Sequence, residues 1–332
     1  MKQPLGEFDL IQRFFQRPAH RSPLGVGDDC ALLAPRPGMQ LAVSSDMLVQ
    51  GRHFLPDVAP RLLGHKALAV NLSDLAACGA QPLAFTLALA LPHSDEAWCQ
   101  AFSEGLFALA EAHDCELIGG DTTQGPLNIC ITVFGEVPSG QAILRSGAQV
   151  GDDIWVSGTL GDARLALDAL QRQHMLPPPV LAQARQRLEA PTPRVALGQA
   201  LRGIASSALD VSDGLLGDLN HILHASHVGA SIEVATTRPL LAASHHPLLR
   251  AMASSRIDAC TLAGGDDYEL CFTAPHAQRS AVEAASQASA TPVTRIGTIE
   301  ALPGIRIFGP QGERLQPRWP GFDHFAYRPC PV

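Results

Sequence analysis

The sequence predicts an α/β (α+β) protein built from two similar halves. Its 332 residues are enough for two hydrophobic cores. Apolar, strand-like runs alternate with helical patterns along the chain. Both halves also repeat one theme, an Asp beside a hydroxyl or a pair of glycines at a strand end. Ser45-Asp46 and Gly119-Gly120-Asp121 carry it in the first half, Ser212-Asp213 and Gly264-Gly265-Asp266 in the second. This reads as a weak internal duplication. A boundary at Arg145–Ala148 gives domains of residues 1–148 and 149–332.

Each element has its own signal. Leu10, Ile11, Phe14 and Phe15 share one helical side, which predicts a short amphipathic helix within Glu7–Phe15. Gly25-Val26-Gly27-Asp28-Asp29 is a glycine-framed acidic turn, with an apolar strand expected from Ala31. Such a turn suits a hard cation, and equally a plain polar turn. Leu41–Val43 predicts a strand that ends in Ser44, Ser45 and Asp46. Those three offer oxygen ligands, phosphate contacts or a helix cap. His53 follows in a loop, as an anion contact or a solvated side chain. From Arg61 to Gly79 the pattern is helical. Leu68, Leu72, Leu75 and Ala76 form one stripe, and Asn71, Asp74 and Cys78 fall on another face. Asp74 thus lies near a helix C-terminus, where the dipole disfavours an anion. A nearby cation would resolve the conflict; solvation of the carboxylate is the alternative.

Leu83–Leu91 predicts a buried strand ended by Pro92, and Ser94–His113 a helix capped around Ser94. Leu117-Ile118 leads into Gly119, Gly120, Asp121 and two threonines, and Asn128–Val137 is a further strand. In the second half Ile154–Ser157 reads as a strand, Asp162–Gln173 as a helix and Pro177-Pro178-Pro179 as a rigid loop. Leu209-Asp210-Val211-Ser212-Asp213 precedes a helical pattern through Leu219, Ile222 and Leu223. Gly264–Tyr268 leads into the strand Leu270–Thr273, and Trp319–Phe325 is an aromatic cluster near the C-terminus.

Composition narrows the function. The hydrophobic fraction of 46% with 17% charged residues is that of an ordinary globular protein. A net charge of −8 argues against a nucleic-acid backbone as partner. The apolar runs are too short and interrupted for a membrane span, and Met1–Glu7 lacks a signal-peptide core. The eight cysteines have no zinc spacing and are expected to be small buried hydrophobes in a reducing cytoplasm. No Walker A sequence, protein-kinase signature or Rossmann unit is present. What recurs is Asp at strand ends and beside glycine: Asp29, Asp46, Asp74, Asp121, Asp210 and Asp213. Gathered together, these acids would repel one another unless cations held them. Oxygen donors without a His/Cys set favour Mg²⁺, Mn²⁺ or Ca²⁺ over zinc. Several Mg²⁺ ions bridging a polyphosphate would use all of them. Calcium storage is the non-enzymatic alternative, without an EF-hand to support it.

These segments together resemble the thiamine-monophosphate kinase family. The matching stretches are Gly6-Glu7-Phe8, GVGDDCALL at 25–33, SSDMLVQGRHF at 44–54, KALAVNLSDLAACGA at 66–80 and LIGGDTT at 117–123. LRSGA at 144–148, LDVSDGL at 209–215, GGDDYELCF at 264–272 and GFDHF at 321–325 continue the series over essentially the whole chain. The resemblance implies a two-domain ATP-binding fold with mixed sheets, like aminoimidazole ribonucleotide synthetase, and a homodimer joined through the N-terminal domains. It implies metal and ATP binding in residues 1–148, completion of the substrate site by residues 149–332, and a cytoplasmic enzyme with no nucleic-acid or membrane partner. It sets Asp29, Ser44, Ser45, Asp46, Asp74, Asp121, Asp210 and Asp213 at Mg²⁺ positions. Gly120, Asp121, Arg145 and Ser212 match ATP contacts, and His53, Asp266 and Phe322 match substrate contacts. Asp266 stands where many members carry Glu, and Phe322 where an aromatic with a polar handle is common.

The activity so implied is transfer of the γ-phosphoryl group of ATP to thiamine monophosphate, giving thiamine diphosphate and ADP. A phosphate monoester has a second pKa of about 6 and is largely dianionic at neutral pH, so no general base is assigned. A relative with another phosphoryl acceptor, or a catalytically silent metal-binding regulator, are the alternatives at this level.

Overall fold

The computed structural model describes residues 6–27 and 29–316. Phe322 and the rest of the aromatic tail lie outside the described residues, as does Asp28. The chain divides into two compact units. Residues 1–143 and 189–203 make the first, and residues 144–188 and 204–332 the second.

The first unit carries a four-stranded mixed sheet under two long helices. Helix α1 (Glu7–Leu10) runs into a π-helical turn at Ile11–Phe15, which buries Phe14 and Phe15. Strands β1 (Met39–Val49), β2 (Gln81–Leu91), β3 (Glu116–Gln124) and β4 (Asn128–Pro138) are ordered β1-β4-β2-β3. Only the β2–β3 pair is parallel. Helix α2 (Pro60–Ala77) starts with Pro at its first position, where a missing N–H costs nothing, and is followed by Gly79 at φ +70°. It packs on α3 (Glu96–Ala112) and on β1 and β4. Leu68 and Leu72 are wholly buried, each worth about 2 kcal/mol in removed apolar surface. The two helices approach closely at glycines. A Cβ at Gly64 would lie 2.0 Å from the Phe102 carbonyl, and one at Gly105 would lie 1.8 Å from that of Arg61.

Several sequence expectations change here. Ala31–Leu33 forms no strand beyond one bridge, Leu24 to Leu32, because Pro35 and Pro37 interrupt the run. Ser44, Ser45 and Asp46 do not end β1 but lie inside it, and the strand continues to Val49 in register with β4. Gly120, Asp121, Thr122 and Thr123 likewise belong to β3 rather than to a following turn. The cap of α3 is Asp95, whose Oδ1 accepts from the N–H groups of Ala97 and Trp98 at 3.0 Å each, not Ser94.

The second unit holds a seven-stranded mixed sheet. Strands β5 (Asp153–Ser157), β6 (Ser207–Asp210), β7 (Gly229–Glu233), β8 (Leu270–Ala274), β9 (Val293–Glu300), β10 (Gly304–Phe308) and β11 (Arg314–Leu315) are ordered β11-β10-β7-β9-β5-β8-β6. Helices α4 (Asp162–Leu170), α5 (Pro178–Glu189), α7 (Leu215–Ser226), α8 (Val234–Thr237), α9 (Pro247–Arg250), α10 (Ser254–Ala263) and α11 (Arg279–Ala288) complete it. Pro178 and Pro179 open α5, so the proline run is a helix start and not only a loop. Ile154, Val156, Leu219, Ile222, Ile232 and Ile296 form one core; Leu165, Val180, Ala184 and Leu249 form another beneath α4 and α5. Helix α6 (Val195–Ala200) belongs to the first unit and lies on α2. A Cβ at Gly198 would stand 1.9 Å from the Ala76 carbonyl. Among the described residues no helix is long and apolar enough to cross a membrane.

Candidate active site

Strand alternation decides which acids meet in the first unit. Along β1 the even positions turn toward α2 and the odd positions turn away. Ser44 and Asp46 therefore share the α2 side. The Ser44 hydroxyl donates to Asp74 Oδ2 at 2.5 Å, and the Asp46 N–H donates to Asn71 Oδ1 at 3.2 Å. Asn71 donates in turn to the Ala67 carbonyl of its own helix at 3.0 Å, while the Ser44–Asp74 and Asp46–Asn71 bonds join this face of α2 to β1. Burial first, then the charge of Asp74 and a hydrogen bond to it, pushes the Asp46 carboxyl up to about 7. Burial and the same Asp74 charge also raise the Cys78 thiol.

Two half-buried carboxylates this close hold a proton between them unless a cation replaces it. With hydroxyl and carboxylate oxygens as its only donors, the pair fits a hard divalent ion such as Mg²⁺. Ser45 is not part of it. Its side chain is on the odd, outward side, where its hydroxyl bonds the Ile131 carbonyl at 3.1 Å and the Thr132 hydroxyl at 3.0 Å.

Asp29, Gly120 and Asp121 line a different feature, a cleft of about 610 Å³ shared with Glu7, Phe8 and Thr122. Asp46 and Asp74 are not among its lining residues. Gly120 has a backbone reason of its own: its φ is +150°, and a Cβ there would meet the Leu87 carbonyl at 1.9 Å. Among the described residues no group of three or more His, Cys, Asp or Glu side chains is placed to hold a metal ion. Within the first unit the acids expected to gather fall into two places, the Asp46–Asp74 pair and the separate cleft lined by Asp29 and Asp121. His53 sits just after β1, where its Nδ1 accepts the Val49 N–H at 3.0 Å. In the neutral ring the proton is then on Nε2, a donor suited to an anion.

In the second unit the Ser-Asp and Gly-Gly-Asp segments are true loops, and they are laced together. The Asp266 N–H donates to the Ser212 carbonyl and the Tyr268 N–H to that of Val211, both at 2.8 Å. The Val211 N–H donates to the Glu269 carbonyl at 2.7 Å. Asp210 is buried at the end of β6, while Ser212, Asp213 and Asp266 are half-buried. Asp218, in the first turn of α7, is a functional candidate that the sequence reading missed. Its Oδ2 accepts the N–H groups of Ser212, Asp213 and Gly214 at 3.0 Å each. Burial above all raises Asp218 to about 7; those N–H groups pull downward and the charge of Asp213 adds to the rise. An acid in the first turn after Ser-Asp-Gly was the available signal. Arg145 is exposed, on a segment tied down by Ser226. That hydroxyl accepts from the N–H groups of Gly147 and Ala148 at 3.1 Å and donates to the Arg145 carbonyl at 3.4 Å.

Residues 27–137 match the family described as AIR synthase related protein, N-terminal domain, and residues 149–309 match its C-terminal domain. The chain is similar to the thiamine-monophosphate kinase of Escherichia coli K12, with 47% identity over 331 residues, covering 97% of this chain and 98% of that one. It is also similar to the crystal structure of thiamine-monophosphate kinase from Stenotrophomonas maltophilia K279a. That likeness has a TM-score of 0.81 and 46% identity, over 92% of this chain and 95% of the other. The structure of AaThiL complexed with AMPPCP and TMP is similar at a TM-score of 0.73 and 28% identity, over 88% of this chain and 89% of that one.

Proposed function

The chain belongs to the thiamine-monophosphate kinase family, and on that premise we propose which of its residues carry the reaction and that the reaction depends on Mg²⁺. It has the two-domain α/β fold of the AIR synthase relatives and is a phosphotransferase of thiamine biosynthesis, using ATP to phosphorylate thiamine monophosphate. The observation that carries the metal reading is the Asp46–Asp74 pair, whose mutual repulsion a divalent cation relieves. Asp46, Asp74 and the Ser44 hydroxyl hold metal in the first unit, with Asp29 and Asp121 supplying further oxygens from the cleft. Asp210 and Asp213 are the candidates in the second unit. When bound, Mg²⁺ neutralises charge on carboxylates and phosphate oxygens and holds the groups in line.

Gly120, Asp121, Arg145 and Ser212 are assigned to ATP. Arg145 brings fixed positive charge to a reaction between two anions, and the Ser226 bonds keep its segment in place. His53, Asp266 and Phe322 are assigned to thiamine monophosphate: the His53 Nε2–H to its phosphate, the Asp266 carboxylate to its cationic part, and Phe322 to a ring face. No side chain needs to remove a proton, because the attacking phosphate oxygen is already anionic. In this reading residues 1–148 hold most of the metal and nucleotide contacts together with His53, and residues 149–332 add Asp210, Ser212 and Asp213 and complete the substrate site with Asp266 and Phe322.

We also place the enzyme in the cytoplasm as a homodimer. What supports the dimer is β1, an outer strand whose outward side exposes Leu41, Val43 and Met47 at 43%, 57% and 53%. An open strand edge with an apolar row is costly to leave in water and suits a second copy.

The test is to supply Mg-ATP with either thiamine monophosphate or free thiamine and to separate the products by chromatography. Thiamine diphosphate should form only from the monophosphate, and EDTA should abolish it. Efficient phosphorylation of free thiamine, or turnover indifferent to EDTA, would refute the reading.

A further inference from the structure

The loop Gly264–Glu269 holds two non-glycine residues in the left-handed region, Asp266 at φ +67° and Tyr268 at φ +50°. Such conformations persist only where the surroundings enforce them. Between and after them the chain turns inward: Asp267 and Glu269 are both fully buried, while Asp266 and Tyr268 are half-buried. The Tyr268 hydroxyl donates to Asp266 Oδ1 at 3.3 Å.

The inward pair is held from three elements. Arg187, near the end of α5, donates through Nη2 to the Asp267 carbonyl at 3.1 Å and to Glu269 Oε1 at 2.6 Å. Ser157, at the end of β5, donates to Glu269 Oε2 at 2.5 Å and accepts the Leu270 N–H at 2.8 Å. The Gly161 N–H, before α4, donates to Asp267 Oδ2 at 2.8 Å, and the other oxygen, Oδ1, is buried with no hydrogen-bond partner. A buried ion pair is weak evidence for stability, since apolar packing of the same volume often serves as well. This one grips the loop backbone one residue from Asp266. The neighbouring loop, Val211–Gly214, has its own anchor in Asp218.

We propose that Arg187 is a positioning residue for the reaction, setting the placement of Asp266 through its grip on the Asp267 carbonyl and on Glu269. The proposal rests on the assignment of Asp266 to thiamine monophosphate made above. Arg187 meets no substrate itself. It fixes the backbone that presents the carboxylate, so its loss weakens recognition of thiamine monophosphate more than recognition of ATP.

Three variants test this. Arg187→Met alone would strand a buried Glu269 charge, so it is paired with Glu269→Gln. Arg187→Lys keeps the charge but loses the planar fork. Asp266→Ala removes the group being positioned. In folded protein, the paired variant should raise KM for thiamine monophosphate about tenfold and change KM for ATP less than about twofold. Arg187→Lys should fall between it and wild type. Melting temperature is read alongside, because a purely structural role would lower it and leave both KM values alone. If the paired variant does not fold, Arg187→Lys decides on the same criterion. Unchanged KM for thiamine monophosphate in a folded Arg187 variant, while Asp266→Ala raises it, would overturn the proposal and leave the substrate assignment standing. An Asp266→Ala enzyme with unchanged KM would remove that assignment, and the proposal with it.

Discussion

Replacing Asp74 by Asn separates two consequences that the fold ties to one carboxylate. In the metal-free protein Asp74 is a liability. Asp46 is raised from 3.8 to about 7, which carries about 4 kcal/mol against its ionised form. Burial accounts for the largest part and would remain in the variant. The charge of Asp74 and its hydrogen bond account for the rest, so Asp74→Asn should return about 1 kcal/mol at neutral pH. The sign follows from linkage. A carboxyl raised in the folded state favours folding fully below its ordinary value of 3.8, and that stability is lost as pH climbs toward about 7. The metal-free wild type should therefore weaken over that interval, and Asp74→Asn should flatten the loss. An increment of about 1 kcal/mol corresponds to a rise of about 2–4 °C in the melting temperature of a unit this size. With Mg²⁺ the order reverses. At a hundred times its dissociation constant, a ligand of the folded state adds about 2.7 kcal/mol, or about 5–10 °C. Asn offers a neutral oxygen, a much weaker ligand for Mg²⁺, and should forfeit most of that gain along with most of the turnover. The measurement is thermal unfolding at pH 7 in EDTA and across a Mg²⁺ titration, paired with product formation. An Asp74→Asn protein that keeps the wild-type Mg²⁺ response or near-normal turnover would refute the argument.

Three further outcomes follow from other parts of the fold. Gly105→Ala places a methyl 1.8 Å from the Arg61 carbonyl and should cost about 1–3 kcal/mol net of its helix-propensity gain, read as a lower urea midpoint; an unchanged midpoint means α2 and α3 can separate freely. Val43→Asp, on the open side of β1, should give a monomer by sedimentation, and a variant that associates like wild type removes this face from the dimer. Glu116 is raised by burial, but the N–H groups of His20, Arg21 and Ser22 outweigh this and hold it below the usual carboxylate range. Its tether on that segment should hold at neutral pH and fail as acidification passes its lowered value, seen as faster proteolysis near residues 17–24. Glu116→Gln should show the same cleavage at neutral pH.

Helix α2 was legible because its apolar stripe and Gly79 stop signal agree with the packing that buries it. Strand β1 was legible only as far as Val43. Ser44, Ser45 and Asp46 broke its apolar run, and what keeps them extended is pairing with β4, which no local window contains. Gly120 to Thr123 misled for the same reason, since pairing with β2 overrides the turn preference of glycine and Asp. The proline run suggests a loop because proline is barred from helix interiors, yet its fixed φ also suits the first helical turn that Pro178 and Pro179 occupy. Candidate acids could be picked individually, because an Asp near a helix end is locally anomalous. That Asp46 and Asp74 meet, and that Asp29 and Asp121 line another cleft, depends on long-range contacts. Asp218 and Arg187 escaped notice because neither is unusual in its own surroundings; each matters through the backbone groups it holds.

Helix α6 closes the first unit from a point in the chain well after that unit's sheet is finished. A ribosome delivers β1 to β4 and α2 early, yet the face of α2 that receives Gly198 stays uncovered until residue 203 has emerged. During that interval the nascent chain leaves part of α2 uncovered, and the first unit cannot finish folding until residues 144–188 of its neighbour have also been made. Cutting the gene after residue 143 would make the interval permanent. A fragment meant to isolate the N-terminal chemistry would have to carry residues 189–203 as a grafted segment.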